Sequence, residues 1–326
     1  MKPQHPDKSL LLLAAMLPMT APIDATAQAD YPAKTVRIVA PFPPGGSVDT
    51  VSRLIAARLS ESYGQTFVVD NRGGASGNIG SELVAKSPGD GYSLLVNTIP
   101  LAVNQFLYSQ VPYDALRDFA PVSLLTSTPA VLAVHPSLTV KNVRELIDLA
   151  KSRAGKLDYG TAGVGTNSHI AGELLNYMAK TNISVVHFKG GGPATIASVS
   201  GEISINFNTL PDSLSYVRSG RLRAIGVSSA KRAPQSPDVP AIAETLPGYE
   251  FTSWQGILAP RNTPRAIVMS LGEHIKKSLS TPENTKRFND AGLDITASTP
   301  DEFAAHLKSE VEKWSKVIRE RKMKAE

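Results

Sequence analysis

Two glycine-rich corners are the segments of this 326-residue sequence whose residue types and spacing could do chemistry. The first spans 41–49 and reads Pro-Phe-Pro-Pro-Gly-Gly-Ser-Val-Asp, and the second spans 159–169 and contains Gly163, Gly165 and Thr166. Each follows a predicted strand and opens a predicted helix. The first amide N–H groups of a helix have no partner within it and carry partial positive charge. Such a corner can therefore hold an anion without a basic side chain.

Neither corner carries a stronger motif. Ser168 stands where a dinucleotide fingerprint would need its third glycine, and neither corner has the Gly-Lys-Ser/Thr of a phosphate loop. A single strand–glycine–helix turn is often only a connection. Two such corners, one in each half of the chain, predict a cleft in which two helix starts face one small anion. Ligands of open α/β sheets bind at this edge, beyond the carboxyl ends of the strands.

The helix starts alone cannot hold a ligand tightly. Micromolar binding needs about 8 kcal/mol, whereas one helix terminus contributes roughly 0.3–1 kcal/mol. About four charge-assisted hydrogen bonds, at roughly 1.5–3 kcal/mol each, would supply the rest. The predicted donors are backbone N–H groups and the hydroxyls of Ser47, Thr161, Thr166 and Ser168.

No catalytic or metal-binding motif accompanies the corners. The chain has no cysteine, which excludes a disulfide framework, a thiolate metal site and a cysteine nucleophile. It also lacks His-Glu-x-x-His and Gly-x-Ser-x-Gly, so we expect no metal and no cofactor. His169 could donate to the ligand or tie down its loop, and Asp49 could belong to the site or only complement the helix dipole. We expect His187 to be structural, and Arg72 and Lys189 to be solvated.

The elements around the corners alternate between strands and helices, which predicts parallel sheets flanked by helices. The first unit is predicted to contain strands over 35–40, 67–69 and 92–96 and helices over 47–62 and 79–86. The second unit is predicted to contain strands over 131–134, 157–160, 185–188, 203–207 and 222–227 and helices over 143–151, 166–180 and 194–200.

The last quarter of the chain has a different pattern. The proline-rich stretch 234–247 is predicted to be a connection, and a strand follows over 251–258. Two helices are predicted to close the chain. In the last of them apolar residues recur every three or four positions, and Trp314 is predicted to anchor it in the core.

The first residues have the three parts of a secretory signal peptide. Lys2 and Lys8 precede the apolar run Leu10–Leu17, and Ala25-Thr26-Ala27 matches an A-x-A cleavage site. The run is too short to span a bilayer, which needs roughly 20 residues. We therefore predict a signal peptide over 1–27 and an exported mature chain. The formal charge of +5 includes no basic run long enough to indicate nucleic-acid binding.

Taken together, the segments resemble the Bug-type solute-binding proteins of tripartite tricarboxylate transporters over nearly all of the mature chain. The matching stretches are Tyr31-Pro32, 36–49, 69–74, 77–80, Asp90-Gly91-Tyr92, 118–122, 160–169, Lys189-Gly190-Gly191 and Ser253-Trp254. The resemblance implies an α/β fold with the two lobes of a periplasmic binding protein, each a mostly parallel sheet flanked by helices, with the ligand cleft between them. It implies one lobe of 28–130 plus 251–326 and a second lobe of 131–250.

The resemblance also implies the ligand-binding residues. On the first side of the cleft they are Phe42, Pro44, Gly45, Gly46, Ser47 and Asp49, and on the second side Gly163, Val164, Gly165, Thr166 and His169. Thr98 and Asn208 are candidates for contacting the rest of the ligand. Asn208 stands where the family often has an acidic residue, and His187 replaces a small or apolar one.

The resemblance implies a monomeric receptor in the periplasm that captures a small organic carboxylate and delivers it to the membrane permease subunits of a transporter, without catalysis. Side chains on Gly46 or Gly165 are expected to fill the anion space. A sensor subunit for a membrane signalling protein and an exported hydrolase acting on a carboxylate or ester remain as alternatives.

Overall fold

The computed structural model describes Met1, 31–234, 236–290 and 293–325. The fold described below is that of the compact unit that begins at Pro32. Apart from Met1, the predicted signal peptide lies outside the described residues. Among the described residues, no helix combines the length and the apolar character needed to cross a bilayer.

The chain begins with three parallel strands joined by helices. They are β1 (Val36–Ala40), α1 (Ser47–Tyr63), β2 (Phe67–Asn71), α2 (Asn78–Ala85) and β3 (Ser93–Asn97). β1 lies between β2 and β3. Every residue of β1 except Arg37 is buried, as expected for a parallel strand covered on both faces. A further helix, α3 (Pro100–Leu107), follows β3 and has proline in its first turn, where no N–H is needed.

One long strand, β4 (Phe119–Val134), connects two groups of strands. Its first part, 119–129, pairs antiparallel with β9 (Thr252–Pro260), which itself pairs antiparallel with β3. Its last part, 130–134, pairs antiparallel with β7 (Ile205–Thr209) and β8 (Arg223–Val227). β4 therefore belongs to both groups, and β9 completes the first group with residues from late in the chain.

The second group contains strands and helices from the middle of the chain. They are α4 (Val143–Ser152), β5 (Asp158–Thr161), α5 (Asn167–Ala179), β6 (Ser184–His187), α6 (Gly191–Ser200), β7, α7 (Leu210–Arg218) and β8. β5 pairs parallel with both β6 and β7. Both groups are therefore mixed, since each joins three parallel strands to antiparallel neighbours.

Three helices close the chain, namely α8 (Arg265–Leu279), α9 (Pro282–Asp290) and α10 (Pro300–Arg321). α10 begins with a capping box in which the Thr299 hydroxyl accepts from the Glu302 amide and the Glu302 carboxylate accepts from the Thr299 amide. Its apolar stripe is buried as predicted, and Trp314 is 1% exposed.

Glu310 joins α10 to β9 through both tryptophans of the chain. Its carboxylate accepts the indole N–H of Trp254 at 3.1 Å and that of Trp314 at 3.0 Å. All three side chains are buried. Because a buried donor without a partner is costly, this one carboxylate satisfies two groups that water cannot reach.

The predicted α/β fold class is found, and most predicted elements lie within a few residues of the observed ones. No strand was predicted over 119–129, where Pro121 and Pro129 argue against a central strand. The structure accommodates Pro121 beside one of two register shifts in the pairing with β9. The reading also missed α3 and α7, and predicted two closing helices where three occur.

Replacing Glu310 with leucine is expected to lower the free energy of unfolding by about 2–4 kcal/mol, because two buried indole donors lose their acceptor. Urea denaturation would measure this. The matched control is Glu312→Leu on the same helix, where the side chain is exposed. A loss no larger than that of the control would show that the bridge to β9 is unimportant.

Candidate ligand-binding site

A cavity of about 320 Å³ lies between the two glycine corners, within the usual size of small-molecule sites. From the first group of elements it is lined by Phe42, Pro43, Pro44, Gly45, Gly46, Ser47, Val48, Thr98 and Pro100. From the second group it is lined by Ala162, Thr166, Asn167, Ser168, Lys189, Gly190, Gly191, Gly192, Pro193, Asn208 and Thr209. The two corners thus contribute to one cavity, as the sequence predicts.

Five helices begin at the cavity lining, namely α1, α3, α5, α6 and α7. No side chain of the described chain caps the start of α1, α5 or α6 by a hydrogen bond. At α3, by contrast, the Leu101 and Ala102 amides already donate to the Thr98 and Ile99 carbonyls. Helix starts carry partial positive charge, and their first amides need an acceptor from outside the helix. The cavity is therefore built to receive negatively charged oxygen atoms.

Asp49 holds the first corner in shape and does not line the cavity. Its carboxylate accepts from the Gly45 amide at 3.0 Å, from Arg53 at 3.0 Å and from Asn71 at 3.0 Å. Asn71 also donates to the Phe42 carbonyl. Burial raises the pKa of Asp49, but these hydrogen bonds outweigh burial and leave the pKa below its ordinary value. The carboxylate stays ionised and fixes the loop.

The hydroxyls expected to bind the ligand at the second corner are mostly occupied within the corner itself. Thr166 Oγ1 donates to the Gly163 carbonyl at 2.6 Å, and Ser168 Oγ accepts from the Ala162 amide at 2.8 Å. Thr161 is buried, outside the lining, and bonds to His187 Nδ1 at 2.7 Å. These hydroxyls position the loop.

The Ser47 hydroxyl differs from the others. It lines the cavity and forms no hydrogen bond with any described residue. Of the four predicted hydroxyl donors, Ser47 is the one placed to contact a ligand directly. The remaining donors at the corners are backbone amides of the first helical turns.

His169 ties down its own loop and lies outside the cavity lining. Its Nδ1 accepts from the Gly165 amide at 3.0 Å, so the ring carries its proton on Nε2. Burial, and then the neighbouring ring of His187, lower the pKa of His169 to about 3. The two rings are 4.9 Å apart and nearly perpendicular. His169 is therefore neutral at ordinary pH.

Gly165 faces α3 rather than the anion space. A Cβ at this position would lie 2.6 Å from Asn104 Oδ1 and 2.9 Å from Leu107 Cδ1, and its φ of +73° favours glycine. The expectation that a side chain here would fill the anion space is therefore wrong. It would instead separate the second corner from α3.

Gly46, in contrast, faces open space. A Cβ built on Gly46 meets no atom within 4 Å, and the residue lines the cavity. Gly192, at the start of α6, has the same open surroundings from the opposite side. A side chain at either position would project into space that a ligand could use.

The two candidates for the distal part of the ligand have partners of their own. Asn208 donates to the Gly191 carbonyl and to Thr195 Oγ1, both at 3.1 Å, and its Oδ1 accepts from the Thr209 amide. The Thr98 hydroxyl lies 3.3 Å from Asn167 Nδ2. Asn208 therefore orients the start of α6, and Thr98 connects the two sides of the cavity.

Most of the residues predicted to bind the ligand line the cavity, and the others lie outside its lining. Those in the lining are Phe42, Pro44, Gly45, Gly46, Ser47, Thr98, Thr166 and Asn208, and those outside it are Asp49, Gly163, Val164, Gly165 and His169.

Sequence reasoning missed the segment 189–193, although its glycines stand before a predicted helix just as in the two corners. Lys189, expected to be merely solvated, is exposed and also lines the cavity. Arg72 pairs with Asp70 at 2.9 Å on the surface. In the described part of the chain, no group of three acidic, histidine or cysteine residues could hold a metal ion.

The buried neutral state of His169 predicts an acid-sensitive fold. The folded-state pKa of about 3 lies below the ordinary 6.5, so between these values the unfolded chain takes up a proton and the folded chain does not. Stability is therefore lost as the pH falls below about 6.5, by about 1 kcal/mol per pH unit. Urea denaturation between about pH 7 and pH 5 should show a shallower loss in His169→Gln. Equal slopes for both proteins would contradict this assignment.

Comparison with known proteins supports the resemblance read from the sequence. The chain is 39% identical over 299 residues to a UPF0065 protein in the tcbD–tcbE intergenic region of Pseudomonas sp. (strain P51), covering 90% of this chain and 88% of that one. It is 35% identical over 315 residues to Protein BugT of Bordetella pertussis, covering 95% and 97%.

Solved structures of other proteins are similar to this one in both fold and sequence. An R. palustris protein solved with adipate has a TM-score of 0.87 at 37% identity and covers 90% of this chain and 99% of its own. MatC of Rhodopseudomonas palustris with bound malate has a TM-score of 0.82 at 32% identity, covering 88% and 100%. These matches confirm the predicted two-lobed α/β fold class.

A family model described as the tripartite tricarboxylate transporter family receptor matches residues 51–323. This match covers most of the chain, and the relatives above are similar along nearly their whole lengths. The chain belongs to the tripartite tricarboxylate transporter receptor family, as its resemblance to Bug-type proteins predicts.

Proposed function

We propose that this protein is an exported periplasmic receptor that captures a small carboxylate in the cavity between its two lobes. The protein would then deliver this ligand to the permease subunits of a tripartite tricarboxylate transporter. The observation that carries the proposal is the convergence of five helix starts on one cavity, three of which (α1, α5 and α6) have no side-chain cap. The similar proteins solved with adipate and malate hold ligands of this chemical class.

The lobe boundaries are part of this proposal. One lobe would comprise 28–130 plus 251–326, and the other 131–250. In support, β4 changes its partners from β9 to β7 and β8 at Ala130, and the chain enters β9 again at Thr252. The two lobes would then be connected by β4 and by the segment between β8 and β9.

We propose binding without catalysis, by a monomer. No histidine lines the described cavity, and the hydroxyls of Thr166 and Ser168 already bond within their loop. Nucleophilic catalysis needs a hydroxyl or thiol paired with a base, and the described lining offers no such pair. The alternative of an exported hydrolase therefore gains no support from the cavity.

The binding proposal predicts that Gly46→Val abolishes carboxylate binding while the protein still folds. The new side chain would project into the open cavity beside the α1 amides, where nothing lies within 4 Å of its Cβ. Affinity for adipate and malate should fall at least about 100-fold, since the anion would lose several amide hydrogen bonds. Isothermal titration calorimetry measures the affinity and thermal melting checks the fold.

Ala57→Val is the matched control. It also ends in valine, and it adds two methyl groups to an exposed alanine on the same helix, outside the cavity lining. The control should bind carboxylates as the wild type does. Wild-type affinity in Gly46→Val, or no response of the wild type to a broad panel of carboxylates, would refute the proposed site.

A further inference from the structure

Lys189 is the one charged side chain among the described residues that line the cavity. It is exposed, and no ion pair or hydrogen bond joins it to another described residue. No carboxylate side chain belongs to the described lining, so nothing there neutralises this ammonium group. An unpaired cation on a residue that lines the same cavity as several helix starts adds to the attraction for negative charge.

The backbone on both sides of Lys189 is held against the second corner. The Phe188 amide donates to the Thr161 carbonyl at 2.9 Å, and the Gly190 amide donates to the Ala162 carbonyl at 3.2 Å. These two hydrogen bonds fix the position from which the lysine side chain extends.

The other polar side chains on this side of the cavity are committed elsewhere. The Asn208 amide group is bonded to the Gly191 carbonyl and Thr195, and Asn167 is within hydrogen-bond distance of Thr98. Lys189 is thus the group left to contact a part of the ligand that the helix starts do not hold.

We propose that Lys189 pairs with a second carboxylate of the ligand and makes this receptor selective for dicarboxylates. The inference rests on the proposed function, in which the helix starts hold the first carboxylate. A monocarboxylate would leave the ammonium group without a partner inside the cavity. A ligand with its own ammonium group would be repelled, because no acidic side chain of the described lining could receive it.

The test uses ligands of equal length that differ only in the charge of their far end. One set is adipate, hexanoate and ε-aminohexanoate, and a shorter set is succinate, butyrate and γ-aminobutyrate. The wild-type protein should bind the dicarboxylate of at least one set about tenfold more tightly than its monocarboxylate, and should bind the amino acid most weakly. Isothermal titration calorimetry gives each dissociation constant.

Four variants assign the preference to the lysine. Lys189→Met should reduce the affinity for the dicarboxylate about tenfold, to that of the monocarboxylate, and leave the monocarboxylate unchanged. Lys189→Arg should retain the wild-type order, and Lys189→Glu should favour the amino acid over the dicarboxylate. Lys156→Met, at another exposed lysine of the second group of elements that lies outside the lining, is the control and should behave as the wild type.

The outcomes separate this inference from the function on which it rests. If the wild type binds dicarboxylates and monocarboxylates equally, or if Lys189→Met keeps the preference, the role of Lys189 is refuted while carboxylate binding stands. If the wild type binds none of the six ligands and no other carboxylate, the proposed function fails and the inference with it. Unchanged melting temperatures exclude unfolding as the cause.

Discussion

The architecture of this protein depends on backbone amides that lack an acceptor within their own helices. The first turn of every α-helix leaves such groups, and where they face a cleft they need water or an anion as acceptor. Here several helix starts share one cavity, so their small individual fields add at a common point. The polar side chains around the cavity keep these helix starts in position.

Polar side chains around the cavity act mainly on the loops. Asp49 binds the Gly45 amide from behind, His169 binds the Gly165 amide, and Asn208 binds the carbonyl of Gly191. Each of them fixes a glycine segment that would otherwise sample many conformations. The amides that face the cavity are thereby preorganised, which lowers the entropic cost of holding a ligand.

Much of this arrangement can be predicted from sequence because it follows from local rules. A strand, a glycine turn and a helix start in each half are visible as patterns, and they point to Gly46 and Ser47, both of which line the cavity. The roles of Asp49 and His169 could not be predicted, because an acidic residue or a histidine one turn into a helix can point towards the ligand or towards its own loop. The direction in which each side chain points depends on the geometry of its loop, which residues far away in the sequence help to set.

β9 lies between β3 and β4, although about 120 residues of the second group separate β4 from it in the chain. Until the ribosome has made β9 and α10, the N-terminal strands lack a central neighbour and the cover over their core. The N-terminal half thus stays incomplete during most of synthesis. Under the proposed export to the periplasm, this late completion would delay folding until after the chain has left the cytosol.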